Sequence, residues 1–224
     1  LLRPIQAELN SFQHYFENSL KSHVFLINQV MKYVIAQKGK KMRPMLLLLS
    51  ARLSGECTEQ TYSAATLVEV LHTATLVHDD VVDEAETRRG LPSINSIWRN
   101  KISVLIGDYL FSKALVKMVA LKHPEMLELL ANTADKLVTG EIDQIDRARS
   151  DTMTEDAYYD MIEDKTASLL ATGCKLGAMT TSDDQKVWDA LYEYGRNFGI
   201  AFQIKDDLFD FEGRASSVGK PIGL

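Results

Sequence analysis

Apolar residues recur along almost the whole chain at the three- and four-residue spacing of amphipathic helices, and no alternating strand pattern of useful length interrupts them. Glycine (12) and proline (5) are scarce and sit at joints rather than inside the periodic stretches. The joints fall at 39–44, 55–58, 90–92, 123–124, 150–154, 181–184 and from Gly213 onward. The helices predicted between them run roughly 14 to 30 residues, longer than the globular mean of about 11 or 12. Pro124 suits a first helical turn, where a missing N–H costs nothing. Thr154, followed by Glu155 and Asp156, reads as an N-cap with acids complementing the helix dipole. No internal repeat or low-complexity tract appears, so the pattern predicts one all-α domain over residues 1–224.

Two helical stretches break the usual apolar-inside, polar-outside rule. Asp79-Asp80-Val81-Val82-Asp83 and Asp206-Asp207-Leu208-Phe209-Asp210 repeat one DDxxD pattern. Helical residues four apart share a face, so Asp79 stacks on Asp83 and Asp206 on Asp210, a like-charge arrangement that costs a few tenths of a kcal/mol. An acidic helical run is ordinarily a solvated face. These two follow apolar sequence instead: Leu71, Ala74, Leu76 and Val77 before the first, Phe198, Ile200, Ala201, Phe202 and Ile204 before the second. A helix apolar nearly all round is buried, and buried carboxylates must be paired or bind metal. Hard divalent cations take oxygen ligands, and Mg2+ held by one or two carboxylates completes its shell with water and substrate phosphate. Asp79, Asp83, Asp206 and Asp210 are therefore the candidate metal ligands. Two such clusters facing each other would grip a diphosphate.

Composition leaves this picture standing. The 224 residues are 46% hydrophobic and 25% charged, ample for one large core. A net charge of −6 and a pI near 5.4 argue against a nucleic-acid surface built from bulk charge. Cys57 and Cys174 are isolated and read as small core residues of a reducing, cytoplasmic protein. No apolar run is long enough to cross a membrane as a helix, and no basic-then-apolar leader opens the sequence. The sequence opens on Leu1 and stops at Leu224 just after a Gly/Pro-rich segment, so both ends read as cut or incomplete.

Diphosphates also need cations. Gly39-Lys40-Lys41-Met42-Arg43-Pro44 sets three of them in a turn, with a glycine that lets backbone approach an anion and a proline fixing the chain's exit. Arg88-Arg89-Gly90 follows the first aspartate motif, and also reads as cations capping a helix C-terminus. Gly219-Lys220-Pro221 comes ten residues after Asp210. Lys165-Thr166 on an amphipathic helix, His72 in apolar surroundings and Gln203 one turn before Asp207 complete the set. Singly each has a bland reading: solvated turn, surface pair, core histidine.

Together these residues resemble the trans-type polyprenyl diphosphate synthases. The matching stretches are GKKMRP (39–44), LHTATLVHDDVVDEAETRRG (71–90), GDYL (107–110), GEIDQ (140–144), KTASL (165–169), GIAFQIKDDLFDF (199–211) and VGKP (218–221). The resemblance implies a bundle of long, mostly antiparallel helices around a deep central cavity, usually a homodimer. It implies head-to-tail addition of isopentenyl diphosphate to an allylic diphosphate primer, with Mg2+ (about three ions, each sharing phosphate oxygens). It gives Asp79 and Asp83 to ions shared with the allylic diphosphate, and Asp206 with Asp210 to the remaining ion. Lys40, Arg43, His72 and Arg89 match isopentenyl diphosphate positions. Arg88, Lys165, Lys205 and Lys220 match positions around the allylic diphosphate, with Thr166 and Gln203 lining the site. Family members continue through several further helices beyond this chain's last residue. Leu71, Ala74 and Thr75 lie on the face reaching back from the metals. Ala74 and Thr75 are small, which leaves room for a product of about six isoprene units or more, since packed interiors register even single methylenes. A terpene cyclase would need no second diphosphate site, and a non-catalytic partner subunit would be expected to lose an aspartate motif. The product would pass to membrane enzymes.

Overall fold

The computed structural model describes residues 3–37, 39–150 and 152–211. The fold is all-α. After a 3-10 turn (Arg3–Ile5) come α1 (Gln6–Ser19), α2 (Phe25–Ala36), α3 (Met42–Ser54) and α4 (Glu59–Val82). A minimal antiparallel hairpin of β1 (Thr87–Arg88) and β2 (Leu91–Pro92) leads into α5 (Ile94–Ala120) and α6 (Pro124–Ser150). Then α7 (Glu155–Ile162) runs through a π-helical turn (Glu163–Ala167) into α8 (Ser168–Met179), and α9 (Gln185–Phe211) follows. Pro124 opens α6, and the Thr154 hydroxyl accepts from the Ala157 N–H at 3.2 Å, both as the sequence predicts. Thr58 and Thr61 cap α4 reciprocally, each side chain serving the other's backbone N–H.

Four details depart from the sequence reading. Helix lengths run shorter than predicted, with 8 residues in α7 and 12 each in α2 and α8. A break between α1 and α2 carries neither glycine nor proline. There Asn28 Oδ1 accepts from the Ser22 N–H at 3.0 Å and Asn28 Nδ2 donates to the Ser22 carbonyl at 2.6 Å, so side chains replace helical backbone bonds. Pro44 lies in the first turn of α3, where no N–H is needed, rather than at a loop exit. Arg88-Arg89-Gly90 caps no helix: Arg89 (φ 52°) and Gly90 (φ 76°) form the two-residue turn of the hairpin, where positive φ suits the strand twist.

The core centres on α4, whose Leu67, Val68, Val70, Leu71, Ala74 and Val77 are buried, and on α8, buried along its length apart from Lys175. α8 packs on α3, α4, α6 and α9. Each fully buried leucine contributes about 1.5–3 kcal/mol. Glycine is not confined to joints as the sequence reading has it: α9 reaches α8 and the π-turn through two glycines inside the helix, four residues apart. A Cβ on Gly195 would come within 2.7 Å of the Ala171 Cα, and one on Gly199 within 2.5 Å of the Ala167 Cα. Gln203 and Asp207 continue the same face at the same spacing. α5 is kinked at Arg99, whose φ of 69° and ψ of 164° fall in a region otherwise kept for glycine. Among the described residues no helix is long and apolar enough to cross a membrane. Both cysteines are free, Cys174 wholly buried and Cys57 partly so.

Candidate functional site

The last turn of α4 carries the first aspartate motif, and its three carboxylates meet different surroundings. Asp80 is buried and accepts from Arg88 Nε at 2.5 Å. Burial pushes its pKa up, against the pull of Arg88. Asp79 is half-buried, and burial together with Glu141 raises it to about 6, with Lys165 and Arg88 opposing. Asp83 caps the helix in the open. Among the described residues neither Asp79 nor Asp83 forms an ion pair within 4.0 Å. Across from them the π-turn presents Lys165, gripped by α6 through Glu141 at 2.6 Å and Gln144 at 3.0 Å.

On α9 the second motif repeats the arrangement. Asp207 Oδ2 accepts from the Tyr158 hydroxyl at 2.6 Å and its Oδ1 from Gln203 Nε2 at 2.9 Å. Gln203 Oε1 in turn accepts from Thr166 at 2.8 Å, so the predicted Thr166 and Gln203 do come together. Asp206 is half-buried. Lys205 is exposed, with its ammonium 5.5 Å from the Phe209 ring centroid, and meets no other predicted residue. The Asp210 side chain and Lys220 lie outside the described residues. No three His, Cys, Asp or Glu side chains converge on one point among the described residues. Mg2+ does not require them to, because it keeps waters and substrate phosphates in its shell. Hard oxygen donors, one of them desolvated and repelled by Glu141, fit a divalent cation in kind.

Beside the first motif lies a cavity of about 50 Å³ bounded by Gly39, Lys41, Glu69, His72, Arg88 and Arg89. Close to Glu69 and Arg89 of its wall stands the half-buried Arg43, with its Nε shielded from solvent. Burial, opposed by Glu69 and aided by Arg89, lowers its pKa to about 10, and its Nε finds no hydrogen-bond partner among the described residues. An unpartnered buried donor costs roughly 1–3 kcal/mol, which an anion would recover. Burial and three arginines (Arg43, Arg89, Arg88) drive His72 well below its usual value, so it is neutral at pH 7. The Arg89 guanidinium lies where a Cβ on Gly39 would stand. Lys41, rather than the predicted Lys40, faces this cavity, and Lys41 hydrogen-bonds to Gln13. Lys40 lines a more open cavity of about 350 Å³ next door, with its ammonium 6.0 Å from the Phe202 ring. Leu71 and Ala74 are buried in the core, and the half-buried Thr75 donates to the His72 carbonyl at 2.9 Å.

Four participants carry no role in the sequence reading. Glu69 sits one turn before His72 and stands among Arg43, Arg89 and Lys41. Burial raises its pKa against those three cations. Its signal is a glutamate in an otherwise apolar run, at the spacing that shares a face with His72. Glu141 and Gln144 belong to the GEIDQ stretch, which matches without an assigned function. Tyr158 has no signal short of the fold, because its partner is 49 residues away.

Residues 24–224 match the family described as polyprenyl synthetase. A heptaprenyl diphosphate synthase component 2 of Geobacillus stearothermophilus is 36% identical over 220 residues, 98% of this chain and 68% of that protein. A mitochondrial solanesyl-diphosphate synthase of Oryza sativa subsp. japonica is 39% identical over 84% of this chain and 48% of its own length. Among solved structures, a polyprenyl synthase from Caulobacter crescentus CB15, complexed with calcium and isoprenyl diphosphate, superposes with a TM-score of 0.93. Its identity is 35%, over 99% of this chain and 68% of that one. The chain thus spans about half to two thirds of the length of these relatives. With the aspartate motifs, the half-buried Arg43 and the fold all in agreement, the chain belongs to the polyprenyl synthetase family.

Proposed function

We propose that this protein is a Mg2+-dependent prenyltransferase that lengthens an allylic diphosphate by head-to-tail addition of isopentenyl diphosphate, giving an all-trans long-chain product. The observation that carries the reading is the division of labour within each motif. Asp80 and Asp207 are taken up by protein donors, while among the described residues Asp79 and Asp83 are left without an ion-pair partner. Asp79, Asp83, Asp206 and Asp210 would hold the cations. Bound there, Mg2+ supplies Lewis acidity toward the diphosphate leaving group and a template for it.

The protein's own groups account for the rest. Lys165 and Arg88 stand beside Asp79 and meet negative charge as the allylic C–O bond ionises. Lys220 is assigned to the same diphosphate. Arg43, Arg89 and Lys41 hold isopentenyl diphosphate, and neutral His72 donates a hydrogen bond without adding charge. Held close, the double bond attacks the allylic carbon, and a proton then leaves to the released diphosphate. The apolar face of α4 keeps water from quenching the cation. Arg43 with its unpartnered Nε favours a second diphosphate site, and so a condensing enzyme over a cyclase.

Homodimers are the expected assembly. The similarity to a protein named component 2 also favours a heteromeric complex as the second reading. Full-length protein incubated with labelled isopentenyl diphosphate, a primer and Mg2+ should yield extended all-trans products, and chelation should abolish them. Asp79→Ala and Asp206→Ala should each cut turnover by several orders of magnitude with the circular dichroism spectrum unchanged, at about tenfold per 1.4 kcal/mol of lost stabilisation. Near-normal turnover in either variant would remove the reading.

A further inference from the structure

Tyr158 takes no part in the chemistry above, yet among the described residues it makes the longest-range hydrogen bond to either aspartate motif. Its hydroxyl crosses from α7 to Asp207 at 2.6 Å, and Gln203 takes the other oxygen of that carboxylate at 2.9 Å. Both oxygens of the half-buried Asp207 therefore accept from protein donors. It also belongs to the face of α9 formed by Gly195, Gly199 and Gln203, which is pressed onto α8 and the π-turn. Neighbouring helical residues point about 100° apart, so the face carrying Asp206 and Asp210 is set by how Asp207 is held. The first motif repeats the device, with Arg88 holding Asp80 beside Asp79 and Asp83.

We propose that Tyr158 is a positioning residue of the second aspartate motif, fixing the rotation of that turn of α9 so that Asp206 faces a divalent cation. A phenol suits the task because it donates one hydrogen bond and carries no charge that would compete with the ion. Burial and the bond to Asp207 push its pKa up to about 12, so it remains a donor at neutral pH. Without the hydroxyl, Asp207 keeps Gln203 alone, and that turn of α9 is held less firmly.

The cation's role here rests on the prenyl-transfer reading, whereas the contact itself does not. The test therefore measures ion binding apart from turnover. In full-length protein with an unreactive allylic thiolodiphosphate, Mn2+ affinity followed by electron paramagnetic resonance should weaken about tenfold in Tyr158→Phe, or about 1.4 kcal/mol. KM for isopentenyl diphosphate and kcat at saturating Mg2+ should stay near the wild-type values. In an Asp207→Asn background the same substitution should have no further effect on Mn2+ affinity, because residues acting through one contact are not additive. Unchanged Mn2+ affinity in folded Tyr158→Phe would overturn the proposal, as would a shift that persists in the Asp207→Asn background or a fall in Tm alone. Wild-type protein that binds Mn2+ with the analogue but extends no primer would remove the prenyl-transfer reading and leave Tyr158 to be judged by affinity.

Discussion

Asp79 and Arg43 are each held away from their ordinary ionisation, in ways that make separate predictions. Burial and Glu141 raise Asp79 from 3.8 to about 6. A carboxyl whose folded pKa is raised favours folding while it is protonated, below about 3.8, and that contribution disappears as pH climbs through about 6. In metal-free protein, Asp79→Asn should therefore raise Tm at pH 7.5 and leave it nearly unchanged at pH 4. A thermal scan across that range measures the difference, and a gap that widens toward acid would contradict the cause assigned. Arg43→Ala should raise KM for isopentenyl diphosphate about tenfold or more, since a charge-assisted contact is worth about 1.5–3 kcal/mol. KM for the primer should barely move, and equal changes in both would mean the two diphosphate sites are wrongly divided. At this scale the sequence was legible wherever charge stood out against an apolar background, as at Asp79, Asp206 and Arg43. It was mute about Glu141 and Tyr158, whose meaning comes from partners across the bundle.

Among the elements, α5 carries its own strain. Arg99 occupies backbone angles that cost a non-glycine residue roughly 1–3 kcal/mol. The kink is held at both ends. Trp98 packs edge-on against Tyr33 with ring centroids 5.4 Å apart, and the Ser103 hydroxyl donates to the Arg99 carbonyl at 3.1 Å. Arg99→Gly should accordingly raise Tm in a thermal melt, with the larger unfolded-state entropy of glycine offsetting part of the gain. A lower Tm would show that the arginine side chain contributes more than the backbone loses. Helix existence could be read from periodicity, and most joints from glycine and proline. The α1–α2 break, the kink and the π-turn could not. Side-chain hydrogen bonds and packing produce them, and composition does not record either.

For the whole molecule, the question is how a growing prenyl chain finds room. Ala74 lies on α4 one turn above Val77, enclosed in the core that α4 shares with α5. If the product passes that point, Ala74→Phe should shorten it sharply while the first addition survives. Product sizing by chromatography reads the outcome, and unchanged chain length with a lowered Tm would place Ala74 in ordinary packing. An added ring in a full core costs about 1–3 kcal/mol, so the melt belongs beside the sizing. The all-α bundle was legible because long periodic segments leave few alternatives. The route for the product was not, because a volume is defined by several helices at once.

The hairpin between α4 and α5 has one more consequence. Arg88 and Arg89 are identical and adjacent, yet one pairs with Asp80 and the other lies against Gly39. Arg88 is the last residue of its strand and Arg89, at φ 52°, the first of the turn, so their separation is decided by where the two-residue turn begins. The hairpin is pinned from outside by Tyr33 donating to the Pro92 carbonyl at 2.7 Å and Ser96 to that of Glu86 at 2.7 Å. Starting the turn one residue earlier would preserve both arginines and every charge in the chain while taking Arg88 out of the strand position from which it reaches Asp80. The two side chains differ only in address, and the address is written in the place where a turn begins.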